Sequence, residues 1–141
     1  MNKKELYIGW DIGGAHTKYT ISTDSKDTVE CRIVLCELLK SLSQLENIIK
    51  TVNIKYKKDF HIINIISMSA EMCDIFSSRK KGVKAILSLF EKKGFTNHIY
   101  SRDNGISKFQ SFKNYSSLAS TNWMAIPDYL KNMDKNIIAI D

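Results

Sequence analysis

Leu6, Tyr7, Ile8, Gly9 and Trp10 form an apolar, β-prone run, and Lys18, Tyr19, Thr20, Ile21 and Ser22 resume with alternating character. The two runs predict strands joined by a hairpin loop. A polar turn over 23–27 leads to a third short strand over 29–35, so the chain opens as a three-stranded meander. Leu38, Leu42, Leu45 and Ile49 then recur at helical spacing, widened by Leu39 and Ile48, and predict an amphipathic helix over 37–50 packed on the sheet. The stretch 60–68 is nearly all apolar, as a central strand covered on both faces should be. Val83, Ile86, Leu87 and Phe90 mark a second helix from Arg79, stopped by Lys92, Lys93 and Gly94. His98, Ile99 and Tyr100 read as a short strand and 102–105 as a turn; a third helical segment spans 118–133, where Pro127 should kink or split it. Ile137, Ile138, Ala139, Ile140 and Asp141 repeat the opening pattern of an apolar strand ending in an acid.

The pattern contains no linker, low-complexity tract or short repeat, and predicts one α/β unit with a mixed sheet and helices on its faces. At 141 residues and 43% hydrophobic content it can bury an ordinary core. The net charge of +6 raises the question of nucleic acid. The lysines are spread along the chain, however, and the densest cluster, Arg79, Lys80 and Lys81, lacks interleaved aromatics. The expectation is a solvated basic surface suited to an anionic small molecule, with no nucleic acid partner. Cys31, Cys36 and Cys73 share no metal-binding or disulfide spacing and read as free thiols in a reducing compartment. The N-terminus lacks the apolar stretch of a signal peptide, and no segment approaches the roughly 20 apolar residues of a membrane span. A cytoplasmic protein without a membrane partner is expected.

The candidate chemistry is concentrated where the first strand ends: Asp11, Gly13, Gly14, Ala15, His16, Thr17 and Lys18. Glycines at 13 and 14 can take positive φ and let successive N–H groups from Gly13 to His16 point at a phosphate. Asp11 would hold Mg²⁺, a hard cation that prefers carboxylate and phosphate oxygens, while Thr17 and Lys18 add a hydroxyl and a positive charge. The same residues also suit a plain β-hairpin with a glycine turn. Glu71 and Asp74 follow the buried strand at its C-terminal end, where catalytic carboxylates collect in open α/β sheets; the alternative for Asp74 is an N-cap of the following turn. Arg79 and Lys80 fit a diphosphate or a solvated helix start. His16 suits a substrate contact or a neutral turn. Asn122 offers an amide to the site, with the Trp123 indole packed inward. His61 and His98 flank strands and read as structural.

The Asp-x-Gly-Gly-x-x-Thr-Lys opening resembles the first phosphate loop of the superfamily of sugar kinases, actin, chaperone ATPases and hydantoinases. The segment 68–83, with Met68, Ala70, Glu71, Asp74, Phe76, Arg79, Gly82 and Val83 in step, is similar to one found in hydantoinase/oxoprolinase-like proteins of one-carbon cofactor biosynthesis. Ala119, Asn122, Trp123 and Ala125 resemble that family's Ala-Asn-Trp-x-Ala helix start. The resemblance implies a ribonuclease-H-like half-domain of the actin and hexokinase type. It also implies a Mg²⁺-dependent transferase of the methanofuran and tetrahydromethanopterin-linked pathways. That transferase would condense a phosphorylated aminomethylfuran with a tyramine derivative and release diphosphate, with Lys18 stabilising charge and Glu71 or Asp74 taking the phenolic proton. An ATP-dependent kinase or hydantoinase is the alternative within the superfamily, and a non-catalytic piece is a third.

The chain departs from the family at His16, where Asn is usual, and at Pro127. In the family, Asp141 opens the second phosphate loop and would be a further metal ligand. The resemblance thus implies an N-terminal piece over 1–141, inactive alone, whose partner is the missing C-terminal half.

Overall fold

The computed structural model describes residues 3–24, 27–38, 40–91, 94–109, 114–131 and 133. The predicted meander forms from β1 (Lys4–Ile12), β2 (His16–Thr23) and β3 (Thr28–Leu35), each antiparallel to its predecessor. The apolar run becomes β4 (Phe60–Met68), which lies parallel to β1 with Leu6 beside Ile62 and Ile12 beside Met68. It is followed by β5 (Thr96–Ser101), parallel to β4, and β6 (Gly105–Lys108), antiparallel to β5. The result is a six-stranded mixed sheet in the order β3-β2-β1-β4-β5-β6.

The period of two in β1 sorts its side chains by face. Leu6, Ile8, Trp10 and Ile12 are buried, whereas Glu5, Tyr7, Gly9 and Asp11 are only partly covered. The buried face carries α1 (Leu42–Tyr56), through Leu45, Ile49 and Val52, and α2 (Arg79–Ser88), through Val83, Ile86 and Leu87. The opposite face carries α3 (Asn122–Leu130), tied to β5 where the Tyr100 hydroxyl donates to the Met124 carbonyl at 3.3 Å and to the Asp128 carboxylate. Among the described residues no helix is long and apolar enough to cross a membrane.

Several boundaries differ from the expected ones for local reasons. Helix α1 begins five residues later than predicted because Ser41 caps it, its hydroxyl accepting the Ser43 N–H at 3.0 Å. Leu38 is buried ahead of the helix, its N–H donated to the Gly14 carbonyl at 3.0 Å. Asp74 does not cap α2: that cap is Ser78, whose hydroxyl accepts the Lys81 N–H at 3.3 Å.

The third helical segment is broken upstream of Pro127. A 3-10 turn over Tyr115–Leu118 comes first, then Ser120 in the left-handed region at φ 49°, and the Thr121 N–H donates to the Met68 carbonyl at 2.9 Å. Helix α3 starts only after that anchor and runs through Pro127. Trp123 is 59% exposed on its outer side, not packed inward as expected. The short strand β6, absent from the prediction, begins at Gly105, whose φ of 61° turns the chain. The expected closing strand over 136–141 and the stop at Lys92 and Lys93 lie outside the described residues.

Edge strand β3 is fastened to α1 by one carboxylate. Glu30 accepts hydrogen bonds from Lys55 (2.8 Å), Tyr56 (2.9 Å), Tyr19 (2.9 Å) and Arg32 (3.2 Å). The Lys55 bond, then those from the two tyrosines, lower its pKa from 4.5 to about 2. A depressed carboxyl pKa contributes stability that is complete above the unfolded-state value and lost as pH falls through the folded-state value. Stability measured by urea unfolding is therefore expected to drop between about pH 4.5 and about pH 2, and Glu30→Gln should flatten that drop. An unchanged acid limb in the variant would contradict this.

Candidate functional site

The hairpin loop is tight. Ile12 pairs with Thr17, and the Gly13 N–H closes the turn on the His16 carbonyl at 3.0 Å. The carbonyls of Gly14 and Ala15 accept the N–H groups of Leu38 (3.0 Å) and Cys36 (2.9 Å), which docks the loop onto the segment after β3. Neither Gly13 nor Gly14 has positive φ, contrary to the expectation. What the glycines supply is close approach: a Cβ on Gly13 would lie 2.7 Å from the His16 carbonyl oxygen, and one on Gly14 would lie 2.8 Å from the Cys73 sulfur. The turn thus rests on the 3-10 segment Ala70–Met72 and its C-cap, Cys73, which follow β4.

Asp11 sits one residue before the end of β1, on the face away from the core. Its cross-strand neighbour is Lys18, and Lys18 Nζ lies 3.1 Å from Asp11 Oδ2. Asp11 Oδ1 is buried without a hydrogen-bond partner. On the other side, Ser67 of β4 is beside Asp11 in parallel register, its hydroxyl donating to the Trp10 carbonyl at 3.1 Å. These residues line an open groove of about 280 Å³, which has Ile65 and Ile106 as apolar surfaces and Tyr100 and Ala125 toward α3. Burial, followed by the Asp128 carboxylate, pushes the Tyr100 hydroxyl up to about 12, so it remains a protonated donor at neutral pH. The groove therefore offers one ion pair with a carboxylate oxygen to spare, hydroxyls and an apolar wall. It lies toward the carboxyl ends of the parallel strands, where open α/β sheets place their ligands.

The other expected site residues are dispersed. Thr17 is fully buried on the core side, and its hydroxyl faces the Cys36 thiol, so it cannot meet a ligand in the groove. The Gly13 N–H is committed within the turn, which removes it from the expected row of anion-binding amides; Ala15 and His16 are exposed at the loop. Glu71 and Asp74 do not line the groove. Glu71 is 1% exposed, and its Oε1 accepts the Ser120 hydroxyl at 2.9 Å and Arg79 Nη2 at 3.4 Å. Asp74 is exposed one residue beyond Cys73, on which the Gly14 turn rests.

Asn122 donates to the Ser69 hydroxyl at 3.3 Å. Arg79 belongs to a separate cavity with Arg102. Asp141 lies outside the described residues. Among the described residues, no group of three His, Cys, Asp or Glu is arranged to hold a metal. Sequence reasoning missed Ser67, Tyr100 and Arg102; Ser67 and Tyr100 lie within apolar strand runs and Arg102 reads as part of a polar turn.

No protein-family model matches the chain. It is similar to a synthase of Methanocaldococcus jannaschii whose product is a furan-2-yl methanamine carrying a gamma-L-glutamylamino-ethyl-phenoxymethyl group. The two are 27% identical over 136 residues, which cover 94% of this chain and 39% of the synthase. The chain thus spans about two fifths of that relative's length.

Proposed function

We propose that the chain is the N-terminal part of a biosynthetic transferase related to this synthase, acting in a methanofuran-type pathway. In the proposed reaction, the carbon–oxygen bond between an aminomethylfuran and its diphosphate breaks. A bond from the same carbon to the phenol oxygen of a tyramine derivative forms, and diphosphate leaves with the electron pair. The observation that carries the reading is the Asp11–Lys18 pair in its groove, within a chain that aligns with the synthase over nearly its whole length. The antiparallel meander continued by parallel β4 and β5, with helices on both faces, supports a ribonuclease-H-like half-domain of the actin and hexokinase type.

Asp11 Oδ1, buried and unpartnered, fits one carboxylate ligand of Mg²⁺, an ion that takes its other ligands from water and substrate phosphate. Bound there, the ion would supply neutralisation of charge developing on the leaving diphosphate. Asp141 is the second carboxylate that the family resemblance suggests. Lys18 pairs with Asp11 at 3.1 Å and adds a positive charge at the groove. Ala15 and His16, with the half-buried Gly14 before them, form the rim of the loop for the phosphate. Glu71, enclosed by Arg79 and Ser120, acts as a positioning residue for Arg79, and since neither Glu71 nor Asp74 lines the groove the phenolic proton passes to water there. Asn122, held by Ser69, is a substrate-side amide.

The test uses the full-length protein. Diphosphate release from an aminomethylfuran diphosphate and a tyramine derivative is expected without ATP, and none is expected from the 141-residue chain alone. A strict ATP requirement, with ADP or AMP formed in step with product, would replace this reading with the kinase or hydantoinase class.

A further inference from the structure

The two edges of the sheet are built differently. At one, β6 is four residues long and ends on Lys108, the short and charged form that discourages a further strand. At the other, β3 is eight residues long, contains neither lysine nor proline, and among the described residues pairs only with β2. Its outer backbone N–H and C=O groups are open to another strand. The side chains add apolar surface to that edge: Val29, Ile33 and Leu35 are each more than half exposed. With exposed Cys31 they share the sheet face that α1 leaves uncovered, while Glu30, two positions before Arg32, turns to α1.

The order of residues in β3 is self-complementary. When two copies of a strand pair antiparallel across a two-fold axis, residues of the same face stand opposite each other, and the register is defined by the residue that meets itself. With Cys31 opposite Cys31, Val29 stands opposite Ile33 and Glu30 opposite Arg32, each pair occurring twice. Apolar then meets apolar on one face and anion meets cation on the other. A slide of two residues in either direction sets Glu30 against Glu30 or Arg32 against Arg32, and like charges directly opposite are unfavourable. The charges are placed for this alignment. Glu30 is held by Lys55, Tyr56 and Tyr19, and Arg32 reaches it through Nε at 3.2 Å while its side chain stays exposed. The same two charges that would repel a misaligned strand favour a second copy in one register.

We infer that β3 is a self-recognition edge: a second copy of this chain pairs with it antiparallel, Cys31 against Cys31, and joins the two six-stranded sheets into one across a two-fold axis. This does not depend on the reaction proposed for the groove.

Sedimentation equilibrium of the reduced 141-residue chain is expected to fit a monomer–dimer equilibrium. Arg32→Glu sets Glu against Glu30 in both pairs and should raise the dimer dissociation constant about tenfold or more. Ile33→Lys should do the same, and its exposed position keeps the test valid should Arg32→Glu disturb the Glu30 contacts. Ile126→Lys, at an exposed apolar residue of α3, should leave the constant within about twofold. The register is read with diamide: each Cys31 thiol gives up its hydrogen, one S–S bond forms across the axis, and the two hydrogens reduce the N=N bond of diamide to a hydrazine. Residues directly opposite have Cα atoms about 4.5–5.5 Å apart, which a disulfide spans. Mass spectrometry is expected to find a Cys31–Cys31 linked peptide, absent in Cys31→Ser. A monomer at all concentrations up to about 1 mM, a dimer insensitive to both Arg32→Glu and Ile33→Lys, or a crosslink through Cys73 in place of Cys31 would each overturn the assignment.

Discussion

Asn64→Leu is expected to lower the stability of the chain by about 3 kcal/mol or more, measured as a shift in the urea unfolding midpoint at unchanged slope. Asn64 is 1% exposed in the middle of β4 and serves three elements at once. Its Oδ1 accepts the Trp10 indole N–H from β1 at 2.8 Å, while its Nδ2 donates to Asn53 Oδ1 of α1 at 3.1 Å and to Asn97 Oδ1 of β5 at 3.0 Å. The partners continue the chain of bonds, Asn53 to the Ile49 carbonyl at 2.9 Å and Asn97 to the Phe90 carbonyl at 2.6 Å. Leucine fills the same space but strands the Trp10 donor and two amide oxygens. Each buried orphan costs about 1–3 kcal/mol; Asn97, half-buried, recovers part of its share from water. Trp10→Phe strands only the Asn64 oxygen, against three groups for Asn64→Leu, and adds the cost of the space left by the smaller ring. A loss below about 1 kcal/mol for Asn64→Leu would mean that water or rotation of the neighbouring amides satisfies the network.

That network also shows why part of the fold was legible in the sequence and part was not. The limits of β4 agree with its apolar run, and α2 starts at Arg79 as its spacing indicated, because burial on a regular element leaves a periodic trace. Asn53 and Asn64 leave the opposite trace: each is a polar residue at a core position, and its meaning lies in a partner on another element. The glycine loop was recognised by composition, but the reason for its glycines is contact with His16 and Cys73, which composition does not encode. Trp123 reads as core by side-chain type, yet it falls on the outward side of a helix that buries no residue fully. For the site, Asp11 and Lys18 stand out because they flank a turn seven residues apart and meet across a hairpin. Arg102 was invisible as a companion of Arg79 because only the crossover through β5 brings them together.

Asp11→Asn in the full-length protein is expected to lower kcat by roughly thirtyfold or more, about 2 kcal/mol of transition-state stabilisation, with a small change in KM. The substitution preserves shape and removes one charge. Its effect on folding should be slight, since the partner Lys18 side chain is 56% exposed and exposed ion pairs contribute about 0–1 kcal/mol. Chemistry is affected differently. An asparagine oxygen still accepts a hydrogen bond, but it binds a hard cation far less strongly than a carboxylate does, and it leaves Lys18 without the anion that fixes its position 3.1 Å away. In the proposed reaction both effects bear on charge that appears only as diphosphate departs, so they should fall on turnover more than on substrate binding. Lys18→Gln separates the two contributions: it keeps the Asp11 carboxylate and should reduce kcat less than Asp11→Asn. If Asp11→Asn instead turned over within about threefold of the unaltered enzyme while its unfolding midpoint fell sharply, Asp11 would be a structural partner of Lys18, and the chemistry would have to lie elsewhere on the sheet.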